Sequence, residues 1–186
     1  MKDLLLSSLR KNSILKGDFV LSSGEKSDYY IDARTSTLSA ESLGCIADIF
    51  YQQIVEADLN TLGGPSIGAD PIVGAVLHRA YLDKKHFKGF LVRSGEKHHG
   101  TQKIIEGPDI SNTSVAIVED VVSTGNSIIK TVAQLQDQGC SVKLILSIVD
   151  REMGAVERFL KENLEYRPIS VSYTHLRAHE TDSYLV

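Results

Sequence analysis

The chain has 186 residues, a length that suits one domain with a sizeable core. Its apolar content of 42% and charged content of 24% are typical of globular proteins, and no apolar run approaches the length that spans a membrane. The net charge of -4 gives no general signal for nucleic acid or a membrane surface, so an anion site must be a local concentration of lysine and arginine.

The N-terminal part of the chain predicts a helix, two short strands and a second helix. Leu5 and Leu9 lie four residues apart, which is typical of one helix face. The predicted elements are, in order, a helix over 3–11, strands at 19–21 and 29–31 around a turn at 22–25, and a helix after Ser39 that runs through Ile54.

Strands and helices then alternate. The predicted elements are a strand at 61–62, a helix through Tyr81 with Asp70 as its N-cap and Pro71 in its first turn, strands at 89–92, 115–118 and 142–149, and a helix over 127–138 closed by Gly139. Strands separated by helices indicate a parallel, right-handed, doubly wound α/β sheet. Ligands bind at the carboxyl ends of the strands in such sheets, where the loops 63–71 and 119–127 are expected.

The two cysteines, Cys45 and Cys140, lie far apart and form no CxxC pair. This pattern predicts reduced thiols, as in cytosolic proteins. No signal-peptide pattern opens the chain, since Asp3 and Arg10 flank only three leucines. We therefore expect a cytoplasmic protein.

The segment 115–127, VAIVEDVVSTGNS, carries the strongest functional signal. An apolar run ends in Glu119 and Asp120, a turn of small residues follows, and a helical pattern begins at Ser127. Backbone N–H groups at a helix N-terminus suit a phosphate, and ionised carboxylates accept hydrogen bonds from hydroxyl groups. The alternative is an ordinary strand–helix turn, which has no need of two adjacent like charges.

The motif resembles the phosphoribosyl diphosphate (PRPP) loop of the type I phosphoribosyltransferases. That resemblance implies their parallel α/β fold with a small N-terminal hood. It also implies that Glu119 and Asp120 hold the ribose hydroxyls and that Asp120 acts near the reacting sugar carbon. The residues of the implied phosphate cradle are Val121, Val122, Ser123, Thr124, Gly125, Asn126 and Ser127.

Four further segments narrow the resemblance to orotate phosphoribosyltransferase: 21–32, 63–71, 92–107 and 147–155. The family transfers the 5-phosphoribosyl group from PRPP to orotate, giving orotidine 5-phosphate and diphosphate, in pyrimidine (UMP) biosynthesis. The resemblance implies Mg²⁺ as cofactor, held mainly by substrate oxygens, with no protein side chain as a dedicated metal ligand.

Orotate is a flat pyrimidine with a carboxylate, so its site needs a planar cation. Arg151 follows a predicted strand and can offer a bidentate fork. An equally simple interpretation is a surface arginine paired to Asp150 or Glu152. The resemblance makes Arg151 the orotate-binding arginine.

Lys26 and Thr124 complete the orotate-binding residues implied by the resemblance. Lys26 lies in a Gly-Glu-Lys-Ser turn, where a solvated lysine is the usual explanation. Tyr29 and Tyr30 are candidates for an aromatic wall beside the base, although one of them could equally pack in the core.

The segment 93–103 is rich in lysine, arginine and histidine. A solvated crossover is the usual meaning of such a run, but a cationic loop also suits the departing diphosphate. In the family this loop closes over the neighbouring subunit's active site, which implies a homodimer. The residues that match its functional positions are Arg93, Lys97 and His99, the last two with catalytic roles; His98 and Lys103 do not match.

Two positions depart from the family pattern and reduce the positive charge expected around diphosphate. Ser94 stands where many members have a second basic residue, and Gly68 stands where some have lysine. The glycine loop Gly63–Ser66 is still expected to offer backbone N–H groups to diphosphate.

Two alternatives use the same scaffold. A purine-type phosphoribosyltransferase would leave Arg151 and Lys26 without a role. A PRPP-binding regulator would require a basic surface for nucleic acid or another partner, and the acidic balance offers none. Neither nucleic acid nor a membrane is therefore an expected partner.

The C-terminal segment does not share the family resemblance of the rest of the chain. Residues 1–170 predict one phosphoribosyltransferase domain, whereas 171–186 resemble translated adapter or vector sequence and are predicted to be a non-native tail. His175 and His179 in this tail are spaced like a metal pair, but the tail is left out of the functional interpretation and no metal site is expected there.

Overall fold

The computed structural model of the chain describes residues 2–20, 26–93 and 103–171. Its helices are α1 (Lys2–Asn12), α2 (Arg34–Thr37), α3 (Ala40–Glu56), α4 (Ala69–Leu82), α5 (Asn126–Gln136) and α6 (Ala155–Lys161). Its strands are β1 (Ile14–Val20), β2 (Lys26–Ile31), β3 (Thr61–Pro65), β4 (Lys88–Val92), β5 (Ile105–Glu106), β6 (Ser114–Val122), β7 (Ser141–Asp150) and β8 (Glu165–Val171). None of the described helices is long and apolar enough to cross a membrane.

A sheet of six strands forms the centre of the molecule, in the order β5-β4-β3-β6-β7-β8. Its strands run parallel except for β5, which pairs antiparallel with β4 at the edge. Parallel neighbours need a crossover, and α4, α5 and α6 lie between successive parallel strands in the chain. The predicted doubly wound α/β class is confirmed.

Apolar residues cover both faces of this sheet, because successive side chains of a strand point to opposite sides. In β6, Ala116 and Val118 belong to the core that includes α3 and α4, whereas Val115 and Ile117 belong to the core that includes α5 and Phe159 of α6. A strand buried on both faces reads as the continuous apolar run seen in the sequence.

The strands β1 and β2 form a separate antiparallel hairpin, in which Ile14 lies opposite Ile31 and Leu15 opposite Tyr30. This hairpin is the predicted N-terminal hood. The backbone N–H of Asp32 donates to the Ser13 carbonyl oxygen at 2.8 Å, which fixes the chain where it leaves β2. From there the chain enters α2 at Arg34.

Several predicted boundaries were wrong. The strand predicted over 115–118 continues to Val122, because its parallel pairing with β7 persists as far as Asp150 and valines favour strands. Glu119 and Asp120 therefore lie within the strand. The following helix begins at Asn126 instead of Ser127 and ends at Gln136 instead of Gln138.

The start of α4 also differs from the prediction. The helix begins at Ala69 after Gly68, so Asp70 is not its N-cap. Pro71 is tolerated inside the first turn because the N–H it lacks would have no helical partner there. The Asp70 carboxylate instead accepts a hydrogen bond from Ser66 Oγ at 2.9 Å.

The four elements α2, β5, α6 and β8 were not predicted. The strand β8 contains Pro168 and several polar residues, a composition that does not resemble a central strand. It lies at the edge of the sheet, where proline costs no ladder hydrogen bond on the outer side. It runs to Val171, one position into the predicted tail, and residues 172–186 lie outside the described part of the chain.

Candidate active site

The two acids of the motif lie at the carboxyl end of β6. Glu119 is buried at 7% exposure, and Asp120 is half-buried. The Asp120 N–H donates to Glu119 Oε1 at 3.1 Å, and the Val121 N–H donates to Asp120 Oδ1 at 2.6 Å. These bonds fix both carboxylates against the end of the strand.

Gly68 faces the two acids from the loop before α4. A Cβ added at Gly68 would lie 2.6 Å from Asp120 Oδ1 and closer still to Glu119 Oε1. A Cβ at this position would require the two carboxylates to shift, whereas glycine lets the loop lie against them without displacing them. The position where some relatives of the predicted family have lysine therefore lies directly beside the acids.

The environment of Glu119 disfavours its charged form. Burial is the main cause, and the neighbouring carboxylates of Asp120 and, from α4, Asp70 add to it, so that the pKa of Glu119 is raised well above its ordinary value of 4.5. Tyr166 of β8 also lies near enough for its pKa to be raised in part by Glu119, after burial as the main cause. A ligand that donates hydroxyl hydrogens to this carboxylate would favour its charged form.

We expect Glu119→Gln to remove a pH-dependent loss of stability in the protein without substrate. The folded carboxyl keeps its proton at pH values where the unfolded one has lost it, so the free energy of unfolding falls as pH rises from 4.5 through the raised pKa. Glutamine keeps an oxygen for the Asp120 N–H but does not titrate. Urea unfolding at a series of pH values measures the slope. Glu56→Gln, an exposed position at the end of α3, should leave the slope unchanged; equal slopes in wild type and Glu119→Gln would contradict the prediction.

The N-terminus of α5 opens onto a cavity of about 440 Å³. Gly125 is the N-cap in the left-handed conformation, with φ of 76°, and it provides no side-chain cap. The first backbone N–H groups of α5 are therefore left for water or a ligand, which suits a phosphate. The predicted cradle residues that line this cavity are Val121, Ser123, Thr124, Gly125, Asn126 and Ser127.

Cations border the same cavity. Lys130, one turn into α5, lines it, as does the exposed Arg93 at the end of β4. Arg93 forms an ion pair with Glu106, with 3.3 Å between Nη1 and Oε1. On the α6 side, Arg158 donates a hydrogen bond to the Asn126 side-chain oxygen, which orients the first residue of α5.

A second cavity, of about 510 Å³, lies between the hood and the ends of β6 and β7. It meets the first at Val121 and Ser123, which line both. Its other lining residues are Val20, Tyr30, Ile31, Asp32, Ala33, Arg34, Ile67, Gly68, Asp120 and Arg151. The arrangement places Asp120 at the wall of a cavity that adjoins the cavity at the N-terminus of α5.

Arg151 follows β7 and reaches this second cavity. Its guanidinium carbon lies 5.3 Å from the centre of the Tyr29 ring, a cation–π distance. Its buried Nε has no hydrogen-bond partner in the described part of the chain. A buried donor without a partner costs free energy, so a ligand that accepts from Nε would be favoured here.

A polar network lies behind Arg151. Tyr166 Oη and Ser147 Oγ share a hydrogen bond of 2.7 Å, and the buried Asp150 accepts from the Glu152 N–H at 2.8 Å. Burial raises the pKa of Asp150. These contacts fix the end of β7 from which Arg151 extends.

Tyr29 and Tyr30 were predicted either to border the base or to pack in the core, and each of these alternatives holds for one of them. Tyr29 packs against the core and beneath Arg151, whereas Tyr30 lines the second cavity and contacts Phe19, with 5.6 Å between ring centres. Lys26 is exposed at the start of β2 and is not among the residues that line either cavity.

The structure places other predicted residues away from the cavities or leaves them undescribed. The Val122 side chain is buried, and its carbonyl oxygen accepts the Arg151 N–H at 2.8 Å. Lys97 and His99 lie outside the described residues.

The expectation for the glycine loop Gly63–Ser66 was wrong. Gly63–Pro65 belong to β3, paired on both sides at Gly63, and Pro65 has no N–H. The Ser66 N–H donates to the Val92 carbonyl oxygen at 2.9 Å. Pairing within the sheet therefore engages backbone groups of this loop that were predicted to be free for diphosphate.

Sequence reasoning missed two cationic residues of the cavities, Lys130 and Arg34. The position of Lys130, one turn after Asn126 on a predicted helix, was a usable signal because residues four apart share a helix face. Arg34 had only a weak local signal, the pair Asp32-Ala-Arg34 directly after a predicted strand.

Curated relatives at 34–38% identity over most of the chain are orotate phosphoribosyltransferases. The chain is 38% identical over 165 residues to the orotate phosphoribosyltransferase of Corynebacterium glutamicum, covering 89% of this chain and 88% of that protein. It is 37% identical over 169 residues to the orotate phosphoribosyltransferase of Methanosphaera stadtmanae, covering 90% of this chain and 92% of that protein. No family model matches the chain.

Solved structures give the same result. Orotate phosphoribosyltransferase from Mycobacterium tuberculosis, in complex with PRPP, superposes with a TM-score of 0.75 at 31% identity and covers 91% of this chain and 95% of its own. Orotate phosphoribosyltransferase from Aeropyrum pernix superposes with a TM-score of 0.81 at 30% identity and covers 97% of this chain and 98% of its own.

Proposed function

The chain belongs to the orotate phosphoribosyltransferase family, and on that premise we propose how its own residues transfer the 5-phosphoribosyl group of PRPP to orotate. The products are orotidine 5-phosphate and diphosphate, a step of pyrimidine biosynthesis. One observation carries the assignment of roles: a phosphate-type cavity and a cavity with a free arginine donor adjoin at Val121 and Ser123, with Asp120 at the wall.

The first cavity takes the ribose 5-phosphate. The backbone N–H groups at the start of α5 and the Thr124 hydroxyl donate to the phosphate oxygens, and the helix dipole favours the negative charge. Lys130 and Arg93 add positive charge at its border. Glu119 and Asp120 accept hydrogen bonds from the ribose hydroxyls, which offsets the burial that disfavours the charged form of Glu119.

The second cavity takes orotate. Arg151 donates to an edge of the pyrimidine ring, which gives its buried Nε the acceptor it lacks, and Tyr30 borders the ring. Lys26 is proposed as a further contact on the resemblance alone. The orotate ring nitrogen then bonds to the sugar carbon on the face opposite to the departing diphosphate and releases its proton.

Cleavage of the bond between sugar and diphosphate develops positive charge on the ribose. The carboxylate of Asp120 lies where it favours that charge, so its part is preorganised electrostatics and needs no covalent enzyme intermediate. We propose that the loop that carries Lys97 and His99 neutralises the departing diphosphate.

Mg²⁺ fits the donor chemistry of the site. Hard cations prefer oxygen ligands, and Asp120 offers a half-buried carboxylate at the wall. The described residues hold no group of three or more histidine, cysteine or acidic side chains that could bind a metal, so we propose that substrate oxygens supply most of its ligands. When bound, Mg²⁺ stabilises negative charge on diphosphate.

The domain boundary and the cellular location of the protein are also proposals. We propose residues 1–170 as the transferase domain and 171–186 as a tail without a role in the reaction, because the tail resembles translated adapter or vector sequence. Both cysteines are free thiols, which supports a cytoplasmic location.

The assay for the proposed function is the loss of orotate absorbance on mixing the purified chain with orotate, PRPP and Mg²⁺. Loss that requires all components is expected. Consumption of PRPP with a purine base but not with orotate would instead support the purine-type alternative. Binding of PRPP without turnover of any base would support the regulator.

We propose a homodimer in which the loop of one subunit acts in the other's site, and a subunit-mixing experiment tests it. Asp120→Asn and Lys97→Ala are each expected to be nearly inactive. In an equal mixture of exchanged subunits, half of the dimers are mixed and one of their two sites is intact, so about a quarter of wild-type activity should return.

The control mixture combines Asp120→Asn with Glu119→Gln. Both changes lie on the same side of the site, so every mixed dimer has two damaged sites and no activity should return. Equal, low activity in both mixtures would contradict a loop that acts between subunits.

A further inference from the structure

Two arginines line the orotate cavity from opposite elements. Arg151 extends from the end of β7, whereas Arg34 lies at the start of α2, directly after the hood. Gly68 and Asp120 line the same cavity. Orotate-family resemblance pointed to Arg151 but gave no role to Arg34.

Arg34 is held in place by Asp32. Arg34 Nε donates to Asp32 Oδ1 at 2.8 Å, Nη2 donates to Oδ2 at 3.3 Å, and the Arg34 backbone N–H donates to Oδ1 at 3.2 Å. This fork orients the guanidinium and leaves Nη1 without a partner among residues 2–20, 26–93 and 103–171. An arginine fixed on one side and free on the other is prepared to bind a second carboxylate.

The position of Arg34 favours the base over the phosphate. Arg34 lines only the cavity that contains Tyr30 and Arg151, whereas Lys130 and Arg93 line the one at the start of α5. Charge within the orotate cavity is balanced before a substrate enters, since Asp32 and Asp120 oppose Arg34 and Arg151. A carboxylate on the base adds one negative charge, and Arg34 has donors left to receive it.

We propose that Arg34, positioned by Asp32, binds the carboxylate of the acceptor base and thereby selects a pyrimidine carboxylate over an uncharged pyrimidine. Arg151 then serves the carbonyl edge of the ring. The inference rests on the proposed function, because it assigns a specificity residue to the same site.

The test compares the binding of orotate and uracil, which share a ring and differ by the carboxylate, to wild type and to Arg34→Gln. We expect wild type to prefer orotate, and Arg34→Gln to weaken orotate binding by about tenfold or more while uracil binding is unchanged. The KM for PRPP should remain within about twofold of wild type. Asp32→Asn, which frees the arginine but keeps it, should give a smaller loss for orotate.

Arg167→Gln is the matched control. Arg167 makes the same kind of short-range ion pair, with 2.6 Å between Nη2 and Glu165 Oε1, on a strand away from both cavities. Arg167→Gln should bind orotate and uracil as wild type does. An effect of Arg34→Gln no larger than this control would mean that the Asp32–Arg34 pair is an ordinary surface ion pair and would overturn the inference.

Two other results would also overturn it. If Arg34→Gln raised the KM for PRPP by as much as it weakened orotate binding, Arg34 would be a diphosphate contact. If wild type bound orotate no better than uracil, no residue would select the carboxylate. Binding does not require turnover, so the inference is decided even if the assay with PRPP and Mg²⁺ refutes the proposed reaction.

Discussion

Asp120→Asn should lower kcat by roughly 100- to 1,000-fold, the effect of removing one charge aimed at a transition state, while the fold is kept. Asparagine retains the oxygen that accepts the Val121 N–H at 2.6 Å, so the backbone at the end of β6 need not move. What is lost is the negative charge opposite the developing positive charge on the ribose.

Stability should respond in the opposite direction. The Asp120 carboxylate is one of the causes of the raised pKa of Glu119, and at pH values where both groups are ionised its removal relieves a repulsion between two adjacent acids. We therefore expect the free energy of unfolding of Asp120→Asn to equal or exceed that of wild type. A residue whose replacement lowers kcat this far without lowering stability is retained for function.

Single-turnover rates and urea unfolding measure the two effects. Asp137→Asn changes an exposed aspartate at the other end of α5 and should alter stability by less than about 0.5 kcal/mol and leave kcat unchanged. Wild-type turnover in Asp120→Asn, or an equal loss of activity and stability, would contradict the role assigned to this carboxylate.

The central sheet was predictable because its strands are encoded locally. β6 and β7 are apolar, rich in valine and isoleucine, and separated by an amphipathic helix, and those features alone place the acids at the carboxyl end of a parallel strand. The edge elements were not predictable in the same way. β5 has two residues, and β8 contains Pro168; both are strands because a neighbour pairs with them.

The site residues also fall into those that a local motif predicts and those that only the folded structure brings together. Glu119 and Asp120 could be predicted because one contiguous motif contains them. Arg34 could not, since it approaches Asp120 only after the hood packs beside the sheet, and no spacing in the sequence encodes that contact. The glycine loop shows the converse: a composition typical of a phosphate cradle forms a strand paired on both sides. Lys97 and His99 stay predictions.

Gly125→Ala should cost about 2–4 kcal/mol of stability and weaken PRPP binding by about tenfold or more, because two separate strains add. The first is the backbone: Gly125 has φ of 76°, a conformation that costs alanine about 1–2 kcal/mol. The second is a collision, since the new Cβ would lie 2.8 Å from two carbons of the Phe159 ring.

The ring has little room to move. Phe159 is fully buried, and its edge contacts the Tyr166 ring with 5.0 Å between centres and an interplanar angle of 79°. The loop must shift instead, which displaces the N–H groups proposed to hold the 5-phosphate. Gly154→Ala separates the two strains. Gly154 is the N-cap of α6 with φ of 90°, yet its Cβ would meet nothing within 4 Å, so only the backbone cost should appear and PRPP binding should be unchanged.

A double-mutant cycle isolates the collision. Phe159→Leu should itself cost about 1–1.5 kcal/mol, but it removes the ring carbons that the new methyl group would strike. In that background Gly125→Ala should lose only the backbone part, so the two changes should couple favourably by at least about 1 kcal/mol and recover part of the PRPP affinity. Strict additivity would mean that the ring does not set the position of the loop. Recovery of both quantities together would show that α6, an element absent from the recognised motif, positions the phosphate cradle through one aromatic contact.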